Sequence, residues 1–124
     1  MIQPILNSIQ THFPDSVSLP APKLNGFQHS LHHFALPGLK VVEIIANLDQ
    51  LSITTYKLPN QLVLNEFIEE HAKSGLAASI FNYPSTTLQF GLKGELFAPV
   101  AINNVNVSAI YGLLDSDGVV KLID

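Results

Sequence analysis

Histidine and tyrosine side chains carry most of the chemistry open to this sequence. His29, His32 and His33 fall together in HSLHH, while His12 and His71 stand apart. In a strand, side chains alternate, so His29 and His33 share one face and His32 points to the other with Phe34. On a helix, all three would share one side. Zinc needs three or four converging ligands, and this group would still require a carboxylate or a distant histidine to close a site. The reading is therefore of strand histidines beside a Pro37-Gly38 turn, with no metal assigned. His71 follows Phe67 by four residues and Ile68 by three, which places it at the border of an apolar helical stripe. There it serves either as a core-edge histidine or as a general base facing a pocket. Tyr56 and Tyr111 lie on expected strands, where a phenol packs and can also donate to a ligand. The candidate ligand-binding set is His29, His32, His33, His71, Tyr56 and Tyr111. No residue is assigned a catalytic role, and no cofactor is expected.

Other constellations read as structure. Glu66, Glu69 and Glu70 fall on the helix face opposite Phe67 and Ile68, a solvated surface where burial does not tune a carboxyl. Asp115-Ser116-Asp117-Gly118 starts like a calcium loop, but no closing glutamate follows, so it is read as a turn between strands. Cysteine is absent, which removes disulfides, thiolate metal sites and thiol nucleophiles. There is no GxSxG, no phosphate-binding loop and no GxGxxG, and Ser74-Gly75 ends a helix where anion binding needs a beginning.

Charge narrows the partners. The chain has 124 residues and a formal net charge of -4; its six cations are all lysines (23, 40, 57, 73, 93 and 121) and are never adjacent. Phosphate neutralisation works through clustered Lys and Arg, so neither nucleic-acid binding nor anchoring on an anionic membrane is expected. No run approaches the roughly 20 apolar residues of a membrane span, and MIQPILNSIQTHF lacks the basic and apolar regions of a signal peptide. A cytoplasmic location is the default. Charged residues make up only 13% of the chain, against about 25% in a typical soluble domain. Mean hydropathy is +0.29. A surface with half the usual charge points to coverage by another subunit or a protein partner.

The elements that must position these residues follow from periodicity. The clearest is a central helix at about 62–75, with Leu64, Phe67, Ile68 and Ala72 on one face, Asn60 or Asn65 as N-cap, and Gly75 at the C-terminal end. A short helix at about 2–13 carries Ile2, Ile5, Leu6, Ile9 and Phe13. Residues 14–26 are proline-rich, with Val17, Leu19 and Ala21 able to lie along a sheet edge. Residues 27–58 read as a three-stranded meander. Leu76 to Tyr83 is ambiguous between strand and helix. The last third reads as strands: STTLQFGL, LFAPVAI with Pro99 marking an edge or a bulge, VNVSAIYGLL after an Asn103-Asn104 turn, and a final VVKLID.

The expected fold is a single α+β domain spanning 1–124, with antiparallel meanders packed on the central helix. By element order it resembles the small acidic chaperones of bacterial secretion systems, which dimerise and hold effector segments. It departs from them in its expected terminal strand, where those chains end in a helix, and no family is assigned. The leading functional expectation is a non-catalytic adaptor or chaperone-like protein, homodimeric or holding a protein partner on apolar sheet or helix surface. The alternative is a cofactor-free enzyme or apolar-ligand carrier with a pocket between sheet and helix.

Overall fold

Ile5 and Ile9, one turn apart and buried, supply the stripe that docks the first helix, α1 (Gln3–His12). Pro4 falls in its first turn, where a missing N–H leaves no helical bond unmade. A helix this short is marginal alone, so its stability comes from packing. The computed structural model describes residues 2–19, 30–47, 49–74, 78–102, 105–106 and 112–123. After α1 come β1 (Val17–Leu19), β2 (Ser30–Leu36), β3 (Lys40–Ala46), β4 (Gln50–Lys57) and α2 (Gln61–Ser74). A 3₁₀ helix (Ala78–Asn82) then leads to β5 (Ser85–Lys93), β6 (Leu96–Ile102), β7 (Val105–Asn106) and α3 (Ser116–Lys121).

Among the described residues, the strands form one antiparallel sheet in the order β1-β2-β3-β4-β5-β6-β7. The α+β class is therefore as expected, and α2 interrupts the meander without dividing it. β4 pairs with β5 from Gln50↔Gly91 to Tyr56↔Ser85 across the inserted helix. The two strand-rich halves are thus one continuous surface. Pro99 lies where the β5–β6 register shifts between Gln89 and Phe90, a bulge that spares the ladder the missing N–H. Ile102 pairs with Val105 across Asn103-Asn104, and those two residues, like residues 107–111 of the expected VNVSAIYGLL strand, lie outside the described set.

The sheet is covered on both faces, which departs from packing on the central helix alone. One face presents Phe34, Val42, Ile44, Ile53, Leu88 and Phe90 to α1 and α3. The other presents Ala35, Val41 and Tyr56 to Leu64 and Phe67 of α2 and to Ile80 of the 3₁₀ helix. Each large side chain so buried contributes about 1.5–3 kcal/mol of transfer free energy. On α2 the buried stripe is Leu64, Phe67 and His71, with Val63 and Ile68 half-buried and Ala72 exposed. The stripe is thus rotated toward the histidine. Asn60 is the cap, accepting from the Val63 N–H at 2.9 Å.

The C-terminal segment corrects an expectation. VVKLID reads as a strand because of its β-branched start, yet residues 116–121 form α3. Asp115 caps it, its Oδ1 accepting from the Gly118 N–H at 2.7 Å. The expected turn between strands is instead a helix N-cap. Val119, Val120 and Ile123 then share one buried face against the sheet and α1. Ser8 of α1 donates to Asp117 Oδ1 at 2.7 Å, which ties the two helices together. No described helix is long and apolar enough to cross a membrane.

Candidate functional site

The sheet register builds the site. His33 on β2 pairs with Glu43 on β3, Glu43 pairs with Thr54 on β4, and Thr54 pairs with Thr87 on β5. Alternation puts these four polar side chains in one row across the face that α2 covers. Thr54 and Thr87 join through their hydroxyls at 3.0 Å. His33 Nε2 and Glu43 Oε2 are also 3.0 Å apart. A carboxylate has only acceptor oxygens, so the shared hydrogen is carried by His33 Nε2. The other ring nitrogen, His33 Nδ1, is buried with no hydrogen-bond partner among the described residues.

The helix closes over this row. His71 from α2 lies edge-on to His33, with ring centroids 4.8 Å apart and planes at 65°. Phe67, one turn earlier, touches both, at 5.6 Å from His71 and 6.3 Å from His33. Only 2% of His33, 1% of His71 and 8% of Glu43 remain exposed. Tyr56 packs on the same face; burial first and the Glu43 charge second push its phenol up to about 12. An imidazole oriented by a carboxylate is the arrangement of a general base. Here both partners are buried beneath α2. In place the pair clamps β2 to β3, with the rings of His71 and Phe67 from α2 resting against it.

The candidate residues thus part company. His33 and His71 meet beneath α2, and Tyr56 packs on the same face of the sheet. His32 belongs to the opposite face, in the row of Ile44 and Ile53. There, burial and then the neighbouring His33 hold its pKa below the ordinary 6.5. His29 and Tyr111 lie outside the described residues. Among the described residues, no group of three His, Asp or Glu side chains is placed to hold a metal ion.

Glu43 is not in the candidate set, although its surroundings carry the signal. Val41, Val42, Ile44 and Ile45 make both faces of β3 apolar. A strand of that kind is covered on both sides, so a carboxylate inside it must be buried and partnered.

Beside the clamp, α2 and the 3₁₀ helix leave a groove of about 180 Å³. Leu58, Val63, Phe67, Ile80 and Tyr83 line it, with Glu66, Glu70 and Ser79 at its polar side. Ser79 Oγ donates to Glu70 at 2.9 Å, which bridges the two elements. The same two elements hold Leu62 and Phe81, exposed by 66% and 56%. The chain matches no protein-family model, no curated protein and no solved structure, so its own geometry carries the functional reading.

Proposed function

We propose that this protein is a non-catalytic adaptor of chaperone-like kind, which holds an apolar segment of a protein partner in the groove between α2 and the 3₁₀ helix. The observation that carries the reading is the coincidence of that groove with exposed Leu62 and Phe81 on the elements that form it. A part-apolar concavity, with large exposed apolar side chains on the elements that form it, marks interaction surface. The burial of His33, Glu43 and His71 beneath α2 supports the same reading. Glu66 and Glu70 at the groove, in a chain of net charge -4, favour a partner segment flanked by lysine or arginine.

Composition also favours a homodimer. Two-fold pairing across the groove would set Glu66 and Glu70 against their own copies. A dimer would instead use the sheet surface around Ile45, Gln89 and Val100, which border a hollow of about 260 Å³. Light scattering near twice the 13.5 kDa chain mass supports that dimer. The mass of one chain at high concentration removes it and leaves the groove reading intact.

The test of the groove uses pairs of labelled leucine-rich peptides, flanked by lysines or by glutamates, read by fluorescence anisotropy. The lysine-flanked peptide binds and the glutamate-flanked one does not. Leu62→Ser and Phe81→Ser weaken binding while circular dichroism is unchanged. Failure of every peptide to bind, or binding indifferent to both substitutions, contradicts the proposal.

A further inference from the structure

The opposite face of the sheet has a cleft of different character, at the end of α3. Lys40 on β3 and Lys57 on β4 are direct cross-strand partners, and both line a cleft of about 310 Å³. Like charges placed opposite each other in a ladder repel, with Cβ atoms only about 4.5–5.5 Å apart. The chain has six cations in all, and two of them meet here. No acidic side chain is among the described residues that line the cleft. Three hydroxyls are: Thr55 beside Lys57, with Ser85 and Thr86 on β5. Leu88 and Ile123 give the cleft an apolar side.

We propose that this cleft binds a small anion, a phosphate or carboxylate group carried on a compact apolar body. Two ammonium groups supply the charge, and as compact point charges with rotatable donors they suit either oxyanion. The hydroxyls complete its hydrogen bonds. The apolar side receives the body of the ligand, and the volume is at the small end of the roughly 300–1,000 Å³ range of ligand sites. A bound anion also removes the repulsion between Lys40 and Lys57, so the site is filled at a gain to the fold. The argument is independent of the groove under α2, which lies across the sheet.

The probes are inorganic phosphate, phenyl phosphate and hexanoate, with sodium chloride at matched ionic strength as the blank. Amide shifts by NMR are expected to saturate at residues 40, 55, 57, 85 and 86, with phenyl phosphate or hexanoate binding more tightly than inorganic phosphate. Lys57 is exposed, so Lys57→Gln keeps the fold. It should weaken the anion roughly tenfold, the loss of one charge-assisted contact. In low salt without ligand, the same variant should melt no lower than the parent, because a repulsion is gone. If the two lysines only neutralise the carbonyl end of α3, Lys57→Gln melts lower and anions change neither form. That outcome overturns the proposal, as does saturation that persists in the variant. Binding of phosphates alone, or of hexanoate alone, supports it and assigns the source of the anion.

Discussion

Removing the carboxylate of Glu43 should expose what the buried clamp contributes. Glu43→Leu leaves the His33 Nε2–H with 2% of the residue exposed and no acceptor opposite it, a loss of about 1–3 kcal/mol for an unsatisfied buried donor. His33→Leu is worse, because it leaves a buried carboxylate without its donor, at about 3–5 kcal/mol. The double variant His33→Leu/Glu43→Leu replaces the pair by apolar groups in a region already walled by Phe67 and Val41. Such replacement is often neutral, so its cost should stay below about 1 kcal/mol. The single costs sum to roughly 4–8 kcal/mol, and the coupling energy is then about 3 kcal/mol or more, the upper end for contacting residues. For a domain of this size each kcal/mol moves the melting temperature by about 3–5 °C. Urea denaturation followed by circular dichroism on the four proteins measures the cycle. A double variant that loses as much as both singles together would refute the reasoning, since the 3.0 Å contact would then carry no coupling.

Three further outcomes are expected. Phe67→Ala should cost about 3–5 kcal/mol in the same assay, because Phe67 is buried and touches both clamp histidines; a cost under about 1 kcal/mol would mean that α2 is not anchored there. His32 has a folded pKa below 6.5, so the unfolded chain takes the proton first and stability falls as pH drops below 6.5, levelling once the folded form is protonated too. His32→Leu should flatten that fall between neutral and mildly acidic pH, and an unchanged slope would show that the ring titrates normally. Tyr56 titrates at about 12 against an ordinary 10.0, so its contribution is intact below 10 and is lost as pH rises toward 12. Phenolate absorbance should show one late tyrosine that is missing in Tyr56→Phe.

Some of this molecule was legible from residue order, and the reasons are specific. α1 and α2 announced themselves because Ile5 and Ile9, and Leu64 and Phe67, recur at helical spacing before and after clear breaks. β2 to β5 followed from alternation and from the turns at Pro37-Gly38 and around Asp49, so the α+β class was within reach. α3 was misread because Val119-Val120 favours a strand locally, while the decisive feature is the Asp115 cap together with burial against Ile5 and Ile9, a contact more than a hundred residues distant in sequence. The two-sided covering of the sheet has the same origin. A half-apolar second face on β3 was visible, but which helix covers which face is a tertiary choice. Among the candidates, residue type alone drew attention to His33, His71 and Tyr56. Their meeting depends on register, which aligns His33 with Glu43 and sets both beneath α2. Lys40 and Lys57 looked scattered in sequence for the same reason: a hairpin makes neighbours of residues seventeen positions apart.

The central claim is that α2 and the 3₁₀ helix together hold a partner segment. Hydrogen–deuterium exchange of the full chain, with and without a lysine-flanked leucine-rich peptide, tests it directly. The account predicts slowed exchange across Gln61–Ser74 and Ala78–Asn82, with β5 and β6 unchanged. No protection by any such peptide, or protection confined to the sheet surface near Ile45 and Val100, would contradict it.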